Sequence, residues 1–138
     1  MVNTSSDTTF ADDLASLILS LTLGITVAGM FVGVEPTTKV DPCVVVYSEP
    51  GPLGMQTMDS PRPAIEHPRA RVTVRAVAYD QAQKRAQDLY DALWAYGSVL
   101  NGHRYGNIWP MGHPYLMGEP DVQNRRPVGF LVMARRIT

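Results

Sequence analysis

Three histidines are the residues of this chain whose chemistry would best suit a metal site. His67 and His113 each stand directly before a proline, and His103 is separated from both of them. The chain contains no HxxxH or HxH spacing, so zinc binding would require the three side chains to converge from separate segments. We therefore expect loop residues here, and a small metal-dependent enzyme built on these histidines stays an alternative.

The single cysteine, Cys43, opens the apolar run Cys43–Tyr47 and is expected to be a small buried side chain. One cysteine allows neither an internal disulfide nor a CxxC metal knuckle. The chain has no G-x-S-x-G motif, and the glycines at Gly51 and Gly54 lack the lysine that a phosphate-binding loop needs. The sequence therefore predicts no catalytic residue, no metal and no cofactor.

Arginine dominates the positive charge, because ten of the twelve basic residues are arginine. Residues 1–61 hold one basic and seven acidic residues, a net charge of −6, whereas residues 62–138 hold eleven basic and six acidic residues, a net charge of +5. The two halves could neutralise each other within one subunit or between neighbouring copies, and charge alone does not choose. The total of −1 argues against general nucleic-acid binding.

Alternation from Arg69 to Tyr79 predicts a strand with one apolar face and one arginine-bearing face. Arginine pairs well with carboxylates and is enriched at protein interfaces, so this face is expected to meet either solvent or a partner. The candidate interface residues are Arg69, Arg71, Arg75, Trp94, Arg125, Arg126, Arg135, Arg136, Glu49 and Asp59.

A run of 21 uncharged residues, 14–34, is long enough to cross a bilayer. No lysine or arginine precedes it, which argues against a secretory signal. Within the run, Leu14, Leu17 and Ile18 follow a helical spacing, and the chain after Gly24 is rich in β-branched residues. A helix followed by a strand is the favoured interpretation, and a membrane anchor through residues 14–34 is the alternative.

The length of 138 residues suits a single domain. Residues 1–8 are predicted to be flexible, and Thr9 with Asp12 predicts a capped helix start. The predicted order is a helix at 10–23, strands at 26–34 and 43–47, a long loop at 49–68, a strand at 69–79, a helix at 81–96 capped by Asp80 and ended by Gly97, and strands at 103–111 and 128–137. The sequence predicts an α+β fold, a mainly antiparallel sheet with two amphipathic helices packed on one face.

Three segments in this order carry a family resemblance. They are Val32-Gly-Val-Glu-Pro36, then Asp41-Pro-Cys-Val-Val-Val-Tyr-Ser-Glu-Pro-Gly51, and then Ala70-Arg-Val-Thr-Val-Arg75 running into Tyr79-Asp80 and a helix with Leu89-Tyr90. Over roughly residues 10–137 the chain resembles the tail terminator proteins of long-tailed bacteriophages, also described as minor capsid or tail completion proteins.

The resemblance implies a structural protein of virion assembly. Family members form a ring, typically of six subunits, which caps the tail tube, stops its polymerisation and joins the tail to the head connector. The implied partners are further copies of the chain, the tail tube protein and the head–tail connector protein, in the virion neck and, during assembly, in the host cytoplasm. Sequence-specific nucleic-acid contact and a membrane are not expected. Another ring protein of the phage neck, an adaptor or a stopper, is the closest alternative.

Overall fold

Helix α1 (Phe10–Ser20) opens the part of the chain that the structure describes. In this computed structural model the described residues are 9–21, 29–33, 41–49, 55–56, 63–121 and 124–137. The predicted flexibility of residues 1–8 lies outside them. The Asp12 N–H donates to Oγ1 of Thr9 at 3.4 Å and the Thr9 N–H donates to Oδ2 of Asp12 at 3.1 Å, which confirms the predicted capping box.

The described residues form nine strands. They are β1 (Met30–Val32), β2 (Cys43–Glu49), β3 (Met55–Gln56), β4 (Pro63–Glu66), β5 (Arg69–Ala76), β6 (Ala95–Leu100), β7 (His103–Pro110), β8 (Tyr115–Leu116) and β9 (Arg126–Ile137). All pairs are antiparallel except β1 with β2, which is parallel. The predicted mainly antiparallel α+β fold is thus confirmed.

Strand β9 organises the sheet because it has neighbours along both edges. One edge pairs with β5 and β4, and the other with β8 and β7. Strand β2 extends the sheet beyond β5, and β6 extends it beyond β7. Strands β3 and β4 lie within the segment 49–68 that the sequence predicts as a loop. Their position depends on pairing of Ile65 with Ile137, a contact that local sequence does not reveal.

Helix α2 (Tyr79–Ala92) begins and ends earlier than predicted. Its N-cap is Ala78 rather than Asp80, and β6 occupies residues assigned to the end of the helix. The cause is the Asn101-Gly102 turn, where both residues have positive φ, 52° and 83°. Such a turn favours a tight β-hairpin, and it pairs β6 with β7.

The core is shared by both helices and the sheet. Helix α1 contacts β1, β2, β5 and β6, and helix α2 contacts β5 and β9. The buried residues include Phe10, Leu14, Ile18, Val44, Val46, Val72, Val74, Leu89, Leu93, Phe130 and Val132. Packing of both helices on one face stays a prediction.

The structure describes part of the uncharged run 14–34. Its first part belongs to α1, which ends at Ser20, and β1 lies near its end. Among the described residues, no helix has both the length and the apolar character that a membrane crossing requires. Residues 22–28 lie outside the description.

Gly129 offers a direct test of how closely β9 packs against β5. A Cβ at this position would overlap the carbonyl oxygen of Val72 and lie 2.9 Å from Cα of Thr73. Both are backbone atoms of the neighbouring strand, so β5 itself would have to move. We expect Gly129→Ala to lower the free energy of unfolding by about 2 kcal/mol or more, measured by urea denaturation.

Gly112→Ala is the matched control, because nothing lies within 4 Å of a Cβ added there. Equal stability of the two variants would contradict the close approach of β5 and β9.

Candidate functional site

The predicted alternation of β5 is present. Ala70, Val72 and Val74 are buried in the core, while arginines and one threonine occupy the opposite face. Strand pairing sets Tyr47 and Glu49 of β2 on one side of these arginines, and Leu131 and Met133 of β9 on the other. We call the set Tyr47, Glu49, Arg69, Arg71, Thr73, Arg75, Leu131 and Met133 the arginine face.

Residues 115–121, which we call the strap, fold back over one half of the arginine face. The Met117 N–H donates to the carbonyl of Pro127 at 2.8 Å, and the Thr73 hydroxyl donates to the Met117 sulfur at 3.6 Å. The Asp121 carboxylate lies 3.6 Å from Nη1 of Arg75. A cleft of about 300 Å³ remains between the strap and Arg71, Thr73 and Arg75.

Arg125 is buried, in contrast to the prediction that placed it with Arg126 among surface interface residues. Only 1% of it is exposed, and its Nε donates to Oδ2 of Asp121 at 3.0 Å. Its Nη1 lies 3.3 Å from the Cys43 sulfur. The correction follows from Asp121, four residues earlier, which supplies the compensating carboxylate inside the fold. Arg126 remains exposed.

Cys43 lies in this buried cluster. Burial raises the pKa of its thiol, although the positive charges of Arg125 and Arg75 act in the opposite direction. A buried thiol with a raised pKa is a poor nucleophile. The position supports the predicted role of Cys43 as a small core residue.

The other half of the arginine face is open. The Arg71 guanidinium lies 4.7 Å over the ring of Tyr47, and its Nε lies 3.6 Å from Oε1 of Glu49, which is too long for a hydrogen bond. The Arg71 side chain is 41% exposed. Within the described residues, the Nε atoms of Arg69 and Arg71 are buried and have no hydrogen-bond partner. The contacts with Tyr47 and Glu49 hold the Arg71 side chain in place.

The remaining predicted interface residues lie elsewhere. Trp94 is 49% exposed and packs edge-on against Tyr90, beside α2. Arg136 forms a long ion pair with Glu66, 3.8 Å from Nε to Oε2, and Arg135 is exposed. Asp59 lies outside the described residues. The structure therefore brings together Glu49, Arg69, Arg71 and Arg75, but not the whole predicted set.

A buried polar cluster around Asp13 was missed by the sequence analysis. The Asp13 side chain is fully buried, and Asn101 donates a hydrogen bond to its Oδ1 at 2.9 Å. The ring nitrogen Nδ1 of His103 lies 2.9 Å from Oδ2 of Asp13, and the Tyr105 hydroxyl donates to the same oxygen. Burial and the hydrogen bond to Asp13 raise the pKa of Tyr105. The sequence does contain a signal for this cluster, because Asp13 lies on the same helical face as the apolar residues Phe10 and Leu14.

His103 and His113 have different surroundings in the structure. His103 joins the turn of the β6–β7 hairpin to α1, whereas the His113 ring packs 4.8 Å from the ring of Tyr90. In the part of the chain that the structure describes, no three side chains of metal-binding type cluster together. The arrangement around Asp13 fixes α1 against the hairpin through hydrogen bonds to one buried carboxyl group.

Comparison with solved structures finds chains of similar structure. A chain in the solved structure "Virion of native gene transfer agent (GTA) particle" superposes with a TM-score of 0.57 at 16% sequence identity, over 93% of this chain and 97% of that one. The two chains share a fold. No protein-family model matches this sequence, and no curated protein does.

The ion pairs of the strap predict a measurable change in Cys43 reactivity. Replacing Asp121 by asparagine removes the carboxylate charge that faces Arg75 and Arg125, so the strap should open more often. We expect Asp121→Asn to react with iodoacetamide at Cys43 at least about tenfold faster than the unchanged protein, under native conditions.

Glu119→Gln is the control, since Glu119 is exposed on the same strap and forms no ion pair with the described residues. Equal labelling rates for Asp121→Asn and the unchanged protein would show that Asp121 does not hold the strap.

Proposed function

We propose that this protein is a structural component of a phage-like virion and that it does not catalyse a reaction. The observation that carries the proposal is the fold shared with a chain of the gene transfer agent virion over nearly the full length of both chains. Because the likeness covers 93% of this chain and 97% of the other, it supports a common structural role better than a match to one motif would. Because the two chains are only 16% identical, a more specific role has to be argued from the residues of this chain.

The finer proposal is a tail terminator. In this role the chain forms a ring, typically of six subunits, that caps the tail tube, stops its growth and joins it to the head connector in the neck of the virion. The resemblance of segments 32–36, 41–51 and 70–75 to terminator sequences supports this assignment. The opposite net charges of residues 1–61 and 62–138 support head-to-tail contacts, which close into rings when the rotation between subunits allows.

An adaptor or stopper of the same neck is the competing proposal. Such proteins are also small ring-forming subunits, so the shared fold supports both roles. Action on the tail tube separates them, because both kinds of protein can contact the head connector but only a terminator is expected to bind the tube end and stop its growth.

The test is polymerisation of the tail tube protein from the same virus or particle. We expect the purified chain, added during polymerisation, to stop elongation and to be found at tube ends by electron microscopy. An equal amount of the chain added after thermal unfolding serves as the control.

Unchanged tube lengths together with binding to the head connector would favour the adaptor or stopper. Unchanged tube lengths and no binding to either partner would contradict the structural role itself.

A further inference from the structure

The side chain of Asn101 ties the β6–β7 hairpin to α1. Its amide nitrogen Nδ2 donates to Oδ1 of Asp13 at 2.9 Å and to the Ser16 hydroxyl oxygen at 3.4 Å, and both acceptors belong to α1. The other oxygen of the buried Asp13 carboxyl group receives the Tyr105 hydroxyl and lies 2.9 Å from Nδ1 of His103. We call these contacts between α1 and the hairpin the α1–hairpin joint. The joint requires a hydrogen-bond donor at position 101.

Asn101 is followed by a glycine, and asparagine is most prone to deamidation in this context. Because Gly102 has no side chain, its backbone nitrogen can reach Cγ of Asn101 with little steric hindrance. Attack by this nitrogen forms an N–Cγ bond and breaks the bond from Cγ to Nδ2, which leaves as ammonia with the proton of the attacking nitrogen. Water then hydrolyses the cyclic imide at either carbonyl carbon and gives aspartate or isoaspartate. Gly102 is exposed, so water has access to the imide, and no oxidant or reductant takes part.

The fold delays this reaction. Asn101 and Gly102 both have positive φ, 52° and 83°, and pairing of Leu100 with His103 closes the turn around them. Imide formation brings Cγ against the Gly102 nitrogen, which rotates the peptide group between the two residues out of this turn conformation. It also withdraws Nδ2 from its acceptors on α1. Deamidation therefore has to wait for local opening of the joint, which proteins undergo at free energies up to that of global unfolding.

The product does not rebuild the joint. An aspartate at position 101 places a carboxylate oxygen where Nδ2 now donates to Asp13, so two acceptors of like charge face each other at a buried carboxyl group. Isoaspartate also adds a methylene group to the main chain, which disturbs the pairing of β6 with β7. Both products therefore favour the open joint.

We propose that Asn101 is a site of spontaneous deamidation, that the reaction is gated by opening of the α1–hairpin joint, and that the product keeps this joint open. The proposal goes beyond the structural role in a virion and does not depend on it. Because hydrolysis of the imide does not restore the amide, the joint changes in one direction only, from closed to open.

Peptide mapping by mass spectrometry tests the site and its gating. The full chain is kept at mildly alkaline pH, folded or in guanidinium chloride, and the mass gain from NH to O is followed at each asparagine. Asn124 is the matched control, because it also has a positive φ, 60°, and is exposed, but it is followed by Arg125. We expect Asn101 to react faster than Asn124 in the unfolded chain, and at least about tenfold more slowly once the chain is folded.

Asp13→Asn weakens the joint without changing the reacting residues. The variant loses the negative charge that the Asn101 amide faces, so Asn101 should deamidate at least about tenfold faster than in the unchanged folded protein. Asp88→Asn, on the exposed side of α2, is the control and should leave the rate unchanged. Thermal unfolding checks that each variant folds. If Asp13→Asn does not fold, Ser16→Ala removes the second acceptor alone and should change the rate in the same direction.

Hydrogen exchange tests the effect of the product. Asn101→Asp copies the aspartate product, and Asn124→Asp places the same change at an exposed position. We expect the backbone amides of the hairpin to exchange at least about tenfold faster in Asn101→Asp and at the unchanged rate in Asn124→Asp. If Asn101→Asp does not fold, the deamidated fraction of aged protein is separated by ion exchange and measured instead.

Four results would overturn the proposal. An Asn101 that stays unmodified in the folded chain over weeks would exclude the site. Equal rates in the folded and unfolded chain, or a folded joint variant that reacts no faster than the unchanged protein, would exclude the gating. Unchanged hydrogen exchange in Asn101→Asp would show that the product still closes the joint.

Discussion

The carboxylate of Asp121 lies 3.0 Å from Nε of Arg125 and 3.6 Å from the guanidinium of Arg75. Both arginines are largely buried, and removing one partner from a buried pair costs about 3–5 kcal/mol because the remaining charge stays in a poorly solvated place. This cluster holds the strap on the sheet and covers Cys43. The strap lies over Thr73 and Arg75, whereas the Arg71 side chain is 41% exposed.

Strand β9 supplies the framework for that cluster. It pairs with β5 on one edge and with β8 on the other, so the arginines and the strap lie next to the same residues of β9. Gly129 allows β9 to approach β5 closely. Asp13 contacts Asn101 and His103, and these contacts join α1 to the β6–β7 hairpin. The arginine face is thus carried by the most extensively paired strands of the sheet.

Patterns that depend on neighbouring residues were predictable from the sequence. The capping box of Thr9 and Asp12 and the alternation of β5 are examples, and both are found as predicted. The predicted end of α2 is wrong because the apolar periodicity continues past residue 92, whereas the Asn101-Gly102 turn commits the following residues to a hairpin. Burial of Arg125 and of Asp13 depends on partners that tertiary folding brings together, Cys43 and Tyr105 among them, and no local pattern shows these.

The central claim is the proposal that this chain is a structural protein of a virion that caps the tail tube as a ring. Electron cryomicroscopy of tail tubes assembled in the presence of the unchanged protein tests it most directly. The account predicts closed rings of this protein at the tube ends. Tubes whose ends carry no such ring would contradict it.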